Sequence, residues 1–586
     1  MILALCALPF FFYEKAPDFI NSDVFYVNLA NSLIHSHSYS ANATQERLRP
    51  PGFTIILAAI CATLGCTHDI LTRAMPAFFA LGLLFSYEVI RRQRGRLTAG
   101  VSCLLVAASP NVFLWVTSRL WPIFPYFCIS MIVFLLIPKL EESQIRARTV
   151  LLMVLLCLFL TAAVMIESIA IALVAAMLVW LAISFFGNAE TFRLRLRHFL
   201  PIALVAMMAQ VLWSQHGGNI REWPLPGYPQ SYFSQLKLKD GNYPELGFAT
   251  PRDVLLRVEK NLRDSSIFLG ETLLHRWFSP SWTSPVIAGL TILILCGLWS
   301  SLWRSNSQLF ALYFIFFECI YLLWPWFSGV VRFAVAVLPF AFVYLAEGVL
   351  AIQRWCRQYP HRVGTVFLPL SMVLAFFAVR ESWTGTTYHG FQEKMSAIFW
   401  VVCAVLCVRL IWKGSFPSQG LPPGARSLSE KLHSVGGLSF RPVQVVVVLA
   451  ATYLVSTGVA AEIPMARENF VSGLTKFENT PEIQAARWIQ SHTDPNTVVA
   501  SSQNSLIYYY TNRRVIWFPP ISNPKVLMDG LRGYHVRYLV VIKRNYNYYL
   551  PSETTCFDLL YAAYPSAFRL EESSGSVNIY EVFYSQ

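Results

Sequence analysis

Charged residues are scarce in this sequence. Only 13% of the 586 residues are Asp, Glu, Lys or Arg, whereas 55% are hydrophobic, and the mean hydropathy is +0.47. In a soluble domain about a quarter of the residues are charged. Apolar runs close to the ~20 residues that span a bilayer recur along the chain. The composition therefore excludes an ordinary soluble protein and indicates a multi-pass membrane protein.

The chain also lacks the motifs of several other chemistries. None of its 12 cysteines forms a CxxC pair and most lie within apolar runs, so we interpret them as small hydrophobic residues and not as a disulfide framework or metal site. His35 and His37 have no clear third ligand, which argues against a metal. No basic stripe alternates with aromatic residues, which excludes nucleic acid as a partner despite the net charge of +13.

The positive charge is concentrated in short loops between apolar runs, which places those loops in the cytoplasm. We take the short apolar stretch 53–66 as a re-entrant or surface-lying helix. Apolar runs then alternate regularly, near 74–90, 98–113, 123–138, 149–166, 168–187, 199–213, 285–303, 308–327, 333–351, 364–379, 396–412 and 443–461. With the N-terminal run this predicts about thirteen membrane helices, a first outer loop at 14–72 and a long outer loop at 214–282.

The N-terminal run, residues 2–13, is apolar but short, and no Lys or Arg precedes it. A signal peptide would have a charged start and a clear small-residue cleavage site. We interpret the run as the outer part of a first transmembrane helix, and a start further upstream would explain its length.

The C-terminal part is polar and has alternating patterns. We predict a transmembrane domain at 1–465 and a small α/β domain at 466–586 on the outer face. A helix is expected from 481, and strands at 497–500, 515–518, 538–542 and 576–582, the last of them an edge strand. No Gly-rich phosphate loop and no catalytic serine elbow occurs there, so we interpret this domain as accessory.

Asp23 opens a predicted amphipathic helix in the first outer loop. Tyr26 and Ala30 share its helix face. Spacing alone favours a helix cap for Asp23. An aspartate at a membrane surface can also accept a proton from an acceptor hydroxyl or amine, or orient it.

Arg47 and Arg49 follow in a proline-stiffened turn, where they either anchor to lipid headgroups or bind a phosphate or pyrophosphate through paired hydrogen bonds.

Four polar residues lie at or within later apolar runs. Arg332 lies at the outer end of a run, where an arginine either snorkels or neutralises a lipid phosphate. Glu167 begins a run on the outer face and could pair with Arg119, or be solvated at the interface. Glu318 lies well inside a run, where a carboxyl group faces a cavity or partner or serves as a structural hydrogen-bonder.

Together these features resemble the membrane-embedded GT-C glycosyltransferases, in particular the bacterial branch related to the protein O-mannosyltransferases (the dolichyl-phosphate-mannose-protein mannosyltransferase family) and to the lipid A aminoarabinose transferase. The matching residues are Asp23 with Tyr26 and Ala30, the turn Arg49-Pro50-Pro51-Gly52-Phe53, and the pair Arg332-Phe333 followed by Pro339. The chain departs from the family pattern at three places: the second outer loop, 117–122, has no acid; only Glu167 remains of an Arg-Pro-Glu; and Val24 replaces a second acid.

The resemblance implies an all-α polytopic membrane bundle and an inverting glycosyltransferase. A sugar would pass from a polyprenyl-phosphate donor to a lipid, glycan or protein acceptor on the outer, periplasmic face of the cytoplasmic membrane. Asp23 would be the base or acceptor-orienting group, and Arg332 with Arg47 or Arg49 would stabilise the leaving lipid phosphate. Tyr26, Arg119 and Glu167 would line the substrate site. No cofactor is implied, and the single acid in the first loop argues weakly against a divalent metal.

Two other functions fit parts of the sequence. A transporter or lipid flippase would show inverted repeats and broken midplane helices, and no convincing internal repeat is present. A non-catalytic relative that serves as a scaffold for envelope assembly is compatible with the missing acid of the second outer loop.

Overall fold

The computed structural model describes residues 2–19, 23–41, 44–46, 49–186, 189–216, 235–240, 246–274, 280–304, 307–325, 330–358, 442–519, 521–543 and 552–584. Its first part is helical. The helices are α1 (Ile2–Phe11), α2 (Val24–Ser36), α3 (Gly52–Leu64), α4 (His68–Ala107), α5 (Pro110–Ser118), α6 (Ile123–Glu141), α7 (Arg146–Ile166), α8 (Ile171–Phe185), α9 (Ala189–His216), α10 (Pro251–Leu274), α11 (Pro280–Leu302), α12 (Gln308–Leu322), α13 (Leu338–Gln358) and α14 (Pro442–Glu478). A two-stranded ribbon of β1 (Ser40–Ala41) and β2 (Thr44–Gln45) follows α2.

Five helical segments in the described part of the chain are long and apolar enough to cross a membrane. They are His68–Ala107, Ile123–Glu141, Arg146–Ile166, Ser168–Phe185 and Ala189–Gln215. The chain is thus a multi-pass membrane protein with a mostly helical fold. The runs predicted at 364–379 and 396–412 lie outside the described residues, and the number of about thirteen spans stays a prediction.

The runs predicted at 74–90 and 98–113 lie on two helical halves, in agreement with the prediction of two separate runs. The helix labelled α4 reverses direction at Gly95, where φ is +85° and ψ is +171°, and Cys103 Sγ lies 3.7 Å from the carbonyl oxygen of Leu83, so the two halves pack against each other. Glycine adopts this angle without the steric cost that a side chain would add. The second run also ends early, because the side chain of Ser109 accepts a hydrogen bond from Val112 N–H and so begins α5. This break gives the short helix that leads to residues 119–122.

The cysteine interpretation is wrong for one pair. Cys61 and Cys66 form a disulfide that closes the end of α3, with their Cα atoms 4.2 Å apart. The remaining described cysteines are free.

The C-terminal part contains a five-stranded sheet. Its elements are α15 (Pro481–His492), β3 (Val498–Ser501), α16 (Asn504–Thr511), β4 (Arg514–Trp517), α17 (Pro524–Gly533), β5 (Tyr538–Ile542), α18 (Glu553–Ala563), β6 (Phe568–Ser574) and β7 (Val577–Val582). The strand order is β4-β3-β5-β7-β6; β3 is parallel to β4 and β5, and β7 is antiparallel to β5 and β6.

The predicted strands at 497–500, 515–518 and 538–542 agree with β3, β4 and β5 to within about one residue. The prediction of an edge strand at 576–582 is wrong, because β7 lies between β5 and β6. The edge strands are β4 and β6, and sequence patterning missed β6 because its exposed positions carry charged residues such as Arg569 and Glu571.

Candidate active site

Asp23 directly precedes α2 and is nearly buried, with 7% of its surface exposed. The cap interpretation is wrong, since its side chain makes no hydrogen bond to the described N–H groups of α2. Instead, Oδ2 accepts a hydrogen bond from Leu120 N–H at 3.2 Å and lies 3.8 Å from Nη1 of Arg119. Burial raises the pKa of Asp23, although Arg119, the Leu120 N–H and Arg332 each favour the ionised form. The carboxylate is therefore a stronger base than an aspartate in water.

Arg332 is the second arginine near this carboxylate, and it contacts the segment that follows α5. It belongs to a 3-10 helix, Val330–Ala336, and its guanidinium lies 4.0 Å from the ring centroid of Trp121 and 4.9 Å from that of Phe333. Stacking on two rings fixes the planar guanidinium while leaving its edge for hydrogen bonds. Residues 119–121 thus provide an ion pair and an N–H donor for Asp23, and an aromatic platform for Arg332. The second outer loop, which lacks the expected acid, forms part of the same site.

Arg49 and Tyr26 form the next part of the site. The Arg49 guanidinium lies 4.1 Å from the ring centroid of Phe25 and 5.7 Å from that of Tyr26. Burial raises the pKa of Tyr26 to about 12, since it outweighs Arg49 and Arg332, which favour the ionised form. Tyr26 therefore stays neutral at physiological pH and keeps its hydroxyl as a hydrogen-bond donor.

Glu167 lies between two spans, directly after α7, and is partly exposed. Burial raises its pKa to about 7, opposed by Arg332 and Arg49. The expected pairing of Glu167 with Arg119 is wrong: Arg119 pairs with Asp23, and the arginines that act on Glu167 are Arg332 and Arg49.

Gly52 explains why the Arg49 turn lies beside Glu167. A Cβ atom added to Gly52 would lie 2.6 Å from the backbone carbon and oxygen of Met165 and 2.8 Å from the backbone nitrogen of Ile166. Only a residue without a side chain lets the start of α3 approach the end of α7 this closely. The Arg-Pro-Pro-Gly turn, residues 49–52, therefore positions Arg49 by backbone contact.

Arg47 lies outside the described residues. Glu318, in α12, is partly exposed and hydrogen-bonds to Ser265 of α10, which agrees with the interpretation of a structural hydrogen-bonder. In the part of the chain that the structure describes, no cluster of three or more His, Cys, Asp or Glu side chains could hold a metal ion.

Sequence reasoning missed two residues of α10 that support the Arg332 segment. Arg257 is 3% exposed and donates hydrogen bonds to main-chain carbonyl groups that include Leu236 and Leu323. The Asn261 amide, one turn later, donates to the carbonyls of Tyr321, Leu322 and Trp324 at 2.9 to 3.3 Å. The carbonyls of Tyr321 and Leu322 belong to the last turn of α12, where no later turn of the helix supplies N–H donors, and Tyr321 also accepts from Trp324 N–H at 3.1 Å. An Arg and an Asn four residues apart on an otherwise amphipathic helix were the available signal.

Three arginines, Arg49, Arg119 and Arg332, lie around the carboxyl groups of Asp23 and Glu167. A further carboxyl group, that of Glu46, accepts a hydrogen bond from the backbone N–H of Arg49 at 2.8 Å. Arginine is suited to phosphate, because its planar fork donates two parallel hydrogen bonds.

Comparison with solved structures shows the fold class. A crystal structure of ArnT from Cupriavidus metallidurans bound to undecaprenyl phosphate has a TM-score of 0.50 and 13% identity, covering 99% of this chain and 97% of that chain. The apo structure of the same protein has a TM-score of 0.51 and 14% identity over the same shares of the two chains. The predicted resemblance to the GT-C glycosyltransferases is thus confirmed at the level of the fold.

An oligosaccharyltransferase of Archaeoglobus fulgidus is less similar, with a TM-score of 0.47 and 13% identity, covering 92% of this chain and 67% of that chain. The fold assignment rests on the two ArnT structures. No protein-family model matches the chain, and no curated protein matches it by sequence.

Proposed function

We propose that this protein is a membrane glycosyltransferase that moves a sugar from a polyprenyl-phosphate donor to an acceptor on the outer face of the cytoplasmic membrane. The observation that carries the proposal is the buried Asp23 carboxylate, which lies within the electrostatic reach of both Arg119 and Arg332. A base for the acceptor and cations for a phosphate leaving group are the two requirements of such a transfer. The fold, shared with an ArnT that binds undecaprenyl phosphate, supports the same reaction class.

Asp23 acts on the acceptor. The acceptor hydroxyl or amine attacks the anomeric carbon of the sugar, and its proton passes to the Asp23 carboxylate. The bond between the anomeric carbon and the phosphate oxygen breaks on the opposite face, so the configuration inverts. A positioned carboxylate contributes about 100- to 10,000-fold to such a proton transfer.

Arg332 and Arg49 act on the leaving group. As the glycosidic bond breaks, the phosphate oxygen that leaves the anomeric carbon gains negative charge, and the lipid phosphate carries this charge after the transfer. Guanidinium groups held by Trp121 and Phe25 are oriented before the reaction and need no rearrangement while the charge develops. Arg47 would belong to the same set. Glu167, between Arg332 and Arg49, adjusts their net charge through its own protonation.

The outer, oxidising face is supported by two independent features. The arginine-rich loops are assigned to the cytoplasm by the positive-inside rule, and the alternation of spans then assigns the Asp23 loop to the outer face. The Cys61–Cys66 disulfide closes the helix that follows the Arg49 turn, and disulfides persist in oxidising compartments such as the periplasm.

Binding of undecaprenyl phosphate to the purified full chain in lipid nanodiscs tests the leaving-group site. We expect saturable binding that Arg332→Gln weakens at least about tenfold, the loss of roughly one charge-assisted hydrogen bond. Arg252→Gln is the matched control, because Arg252 is an exposed arginine of the outer-face helix α10. Equal affinity of wild type and Arg332→Gln would refute the assigned role of Arg332.

Mass spectrometry of envelope lipids and glycans, with and without the chain, identifies the product. A sugar modification that depends on the chain supports transfer. Uptake of a labelled lipid-linked sugar into vesicles without a transfer product would favour a flippase. Binding of undecaprenyl phosphate with an unchanged envelope would favour a non-catalytic scaffold.

A further inference from the structure

Helix α16 of the C-terminal part packs on two hydrophobic cores at once. Ile507 is fully buried among residues of the C-terminal sheet, such as Val499 and Val515. Leu506, the preceding residue, is 1% exposed and packs in the core of the membrane part, which also contains Val24 and Val27 of α2. Leu506 and Ile507, on opposite sides of α16, therefore connect the C-terminal sheet to α2, the helix that directly follows Asp23.

Polar contacts from α16 reach both flanks of Asp23. On the N-terminal side, the Tyr509 hydroxyl donates to Oδ1 of Asp18 at 3.1 Å, and the Tyr510 hydroxyl donates to the carbonyl of Phe19 at 2.6 Å. The Phe19 ring also packs edge-on against Tyr509, with ring centroids 5.9 Å apart.

On the C-terminal side, the Asn28 amide donates to the carbonyl of Ser505 at 3.0 Å. Asn28 is 7% exposed. A buried amide that loses its partner is left unsatisfied and destabilises the packed state, so this contact specifies one docking position of α2 on α16. A contact before Asp23 and a contact after it restrain the segment at both ends.

We propose that the C-terminal α/β domain is a positioning part of the active site, in which Ser505, Tyr509 and Tyr510 hold Asp18, Phe19 and Asn28, on either side of Asp23, and thereby fix the Asp23 carboxylate against the second outer loop. This inference rests on the proposed function and goes beyond an accessory role for the domain. A catalytic carboxylate has to be held within about 0.5 Å of its productive position, and that precision comes from the contacts of its support. Phe19 also packs edge-on against His68 of α4, with ring centroids 5.2 Å apart, so the two tyrosines add polar contacts to an apolar one on this side of the segment.

The test uses the full-length chain in nanodiscs and the double variant Tyr509→Phe with Tyr510→Phe, which removes two hydroxyl groups and keeps the rings. Tyr508→Phe, on the same helix, is the matched control. Two hydrogen bonds of about 1 kcal/mol each predict that amide hydrogen exchange in residues 18–36 rises roughly 5- to 30-fold in the double variant and stays at the wild-type rate in the control. Asn28→Asp, which sets a carboxylate against the Ser505 carbonyl, is a second variant, with Asn31→Asp as its control.

The transfer product, measured in the envelope by mass spectrometry, should fall in both test variants by a larger factor than affinity for undecaprenyl phosphate, because Arg332 and its ring partners Trp121 and Phe333 lie outside the segment that α16 contacts. Unchanged exchange in the double variant and in Asn28→Asp overturns the proposal. Raised exchange with wild-type amounts of product overturns it too, since Asp23 would then not need this support. Failure of the proposed function is recognised separately, by the absence of any product from the wild-type chain.

Discussion

Replacing Asp23 by asparagine separates the chemical role of this carboxylate from its structural one. Asparagine has the same shape and can still accept the hydrogen bond from Leu120 N–H, which is 3.2 Å from Oδ2. What it loses is the negative charge, and with it the ability to take a proton from the acceptor.

The structure predicts a small effect on stability. The lost ion pair with Arg119 spans 3.8 Å and its arginine is 34% exposed, so it contributes about 1 kcal/mol or less. The burial that raises the pKa of Asp23 shows that keeping the charge has a cost, which asparagine removes. These two effects oppose each other, and we expect the free energy of unfolding to change by less than about 1 kcal/mol.

The predicted effect on transfer is far larger. Loss of a positioned base should lower the rate about 100- to 10,000-fold, which corresponds to roughly 3 to 5 kcal/mol in the activation free energy. The assay compares product amounts, by mass spectrometry of the envelope, in cells that carry only the variant. Asp69→Asn is the matched control, because Asp69 is an acid in the first turn of α4 with a side chain that is 45% exposed. Full product from Asp23→Asn at normal membrane abundance would refute the assignment of Asp23 as base.

Three further outcomes follow from the same geometry. Gly52→Ala should lower the free energy of unfolding by about 1 to 3 kcal/mol in thermal or denaturant unfolding, because its Cβ would meet the Met165 backbone at 2.6 Å. Gly100→Ala, where no atom lies within 4 Å, should instead be neutral or stabilising by about 0.5 to 1 kcal/mol, and equal effects of the two changes would contradict the close approach. Arg332→Lys should weaken undecaprenyl phosphate binding about tenfold, since an ammonium group lacks the planar stacking on aromatic rings and the two-pronged hydrogen bonding; unchanged affinity would count against that contact. The pKa of Glu167, raised to about 7, means that its contribution to stability is present below its unfolded value of 4.5 and is lost as the pH rises through 7. Glu167→Gln should therefore gain in Tm over the wild type between pH 5 and pH 8, by the equivalent of roughly 1 to 2 kcal/mol after allowance for its partial exposure, and a pH-independent difference would contradict the raised pKa.

The sequence predicted those elements whose pattern has one dominant cause. The run Tyr538–Ile542 is buried at every position and was predicted to the residue, because a short continuous apolar stretch rich in β-branched residues, between turn signals, has few other structures. Strand β6 was missed because the exposed side of an edge strand tolerates charge, and its pattern then looks like that of a loop.

The sequence singled out several residues that the structure brings together, but it did not predict their pairings, and their role as a site stays a prediction. Asp23, Arg49, Arg332 and Glu167 were each proposed from local motifs, and the structure brings them together. Which acid faces which arginine depends on contacts across more than ninety residues, such as Asp23 with Leu120, and one sequence carries no signal for them. The same limit applies to the cap: an aspartate before a helix has the same sequence pattern whether it bonds its own helix or a distant loop.

The hydrogen bond from residue 120 to the Asp23 carboxylate is donated by a main-chain N–H group. Every amino acid except proline supplies it, so the side chain at that position can drift freely while the contact persists. When a site is built partly from main-chain groups, the identities of the residues that supply them are weakly constrained. Such a centre can outlast the sequence similarity by which families are recognised, and a chain 13% identical to a solved structure can keep its fold.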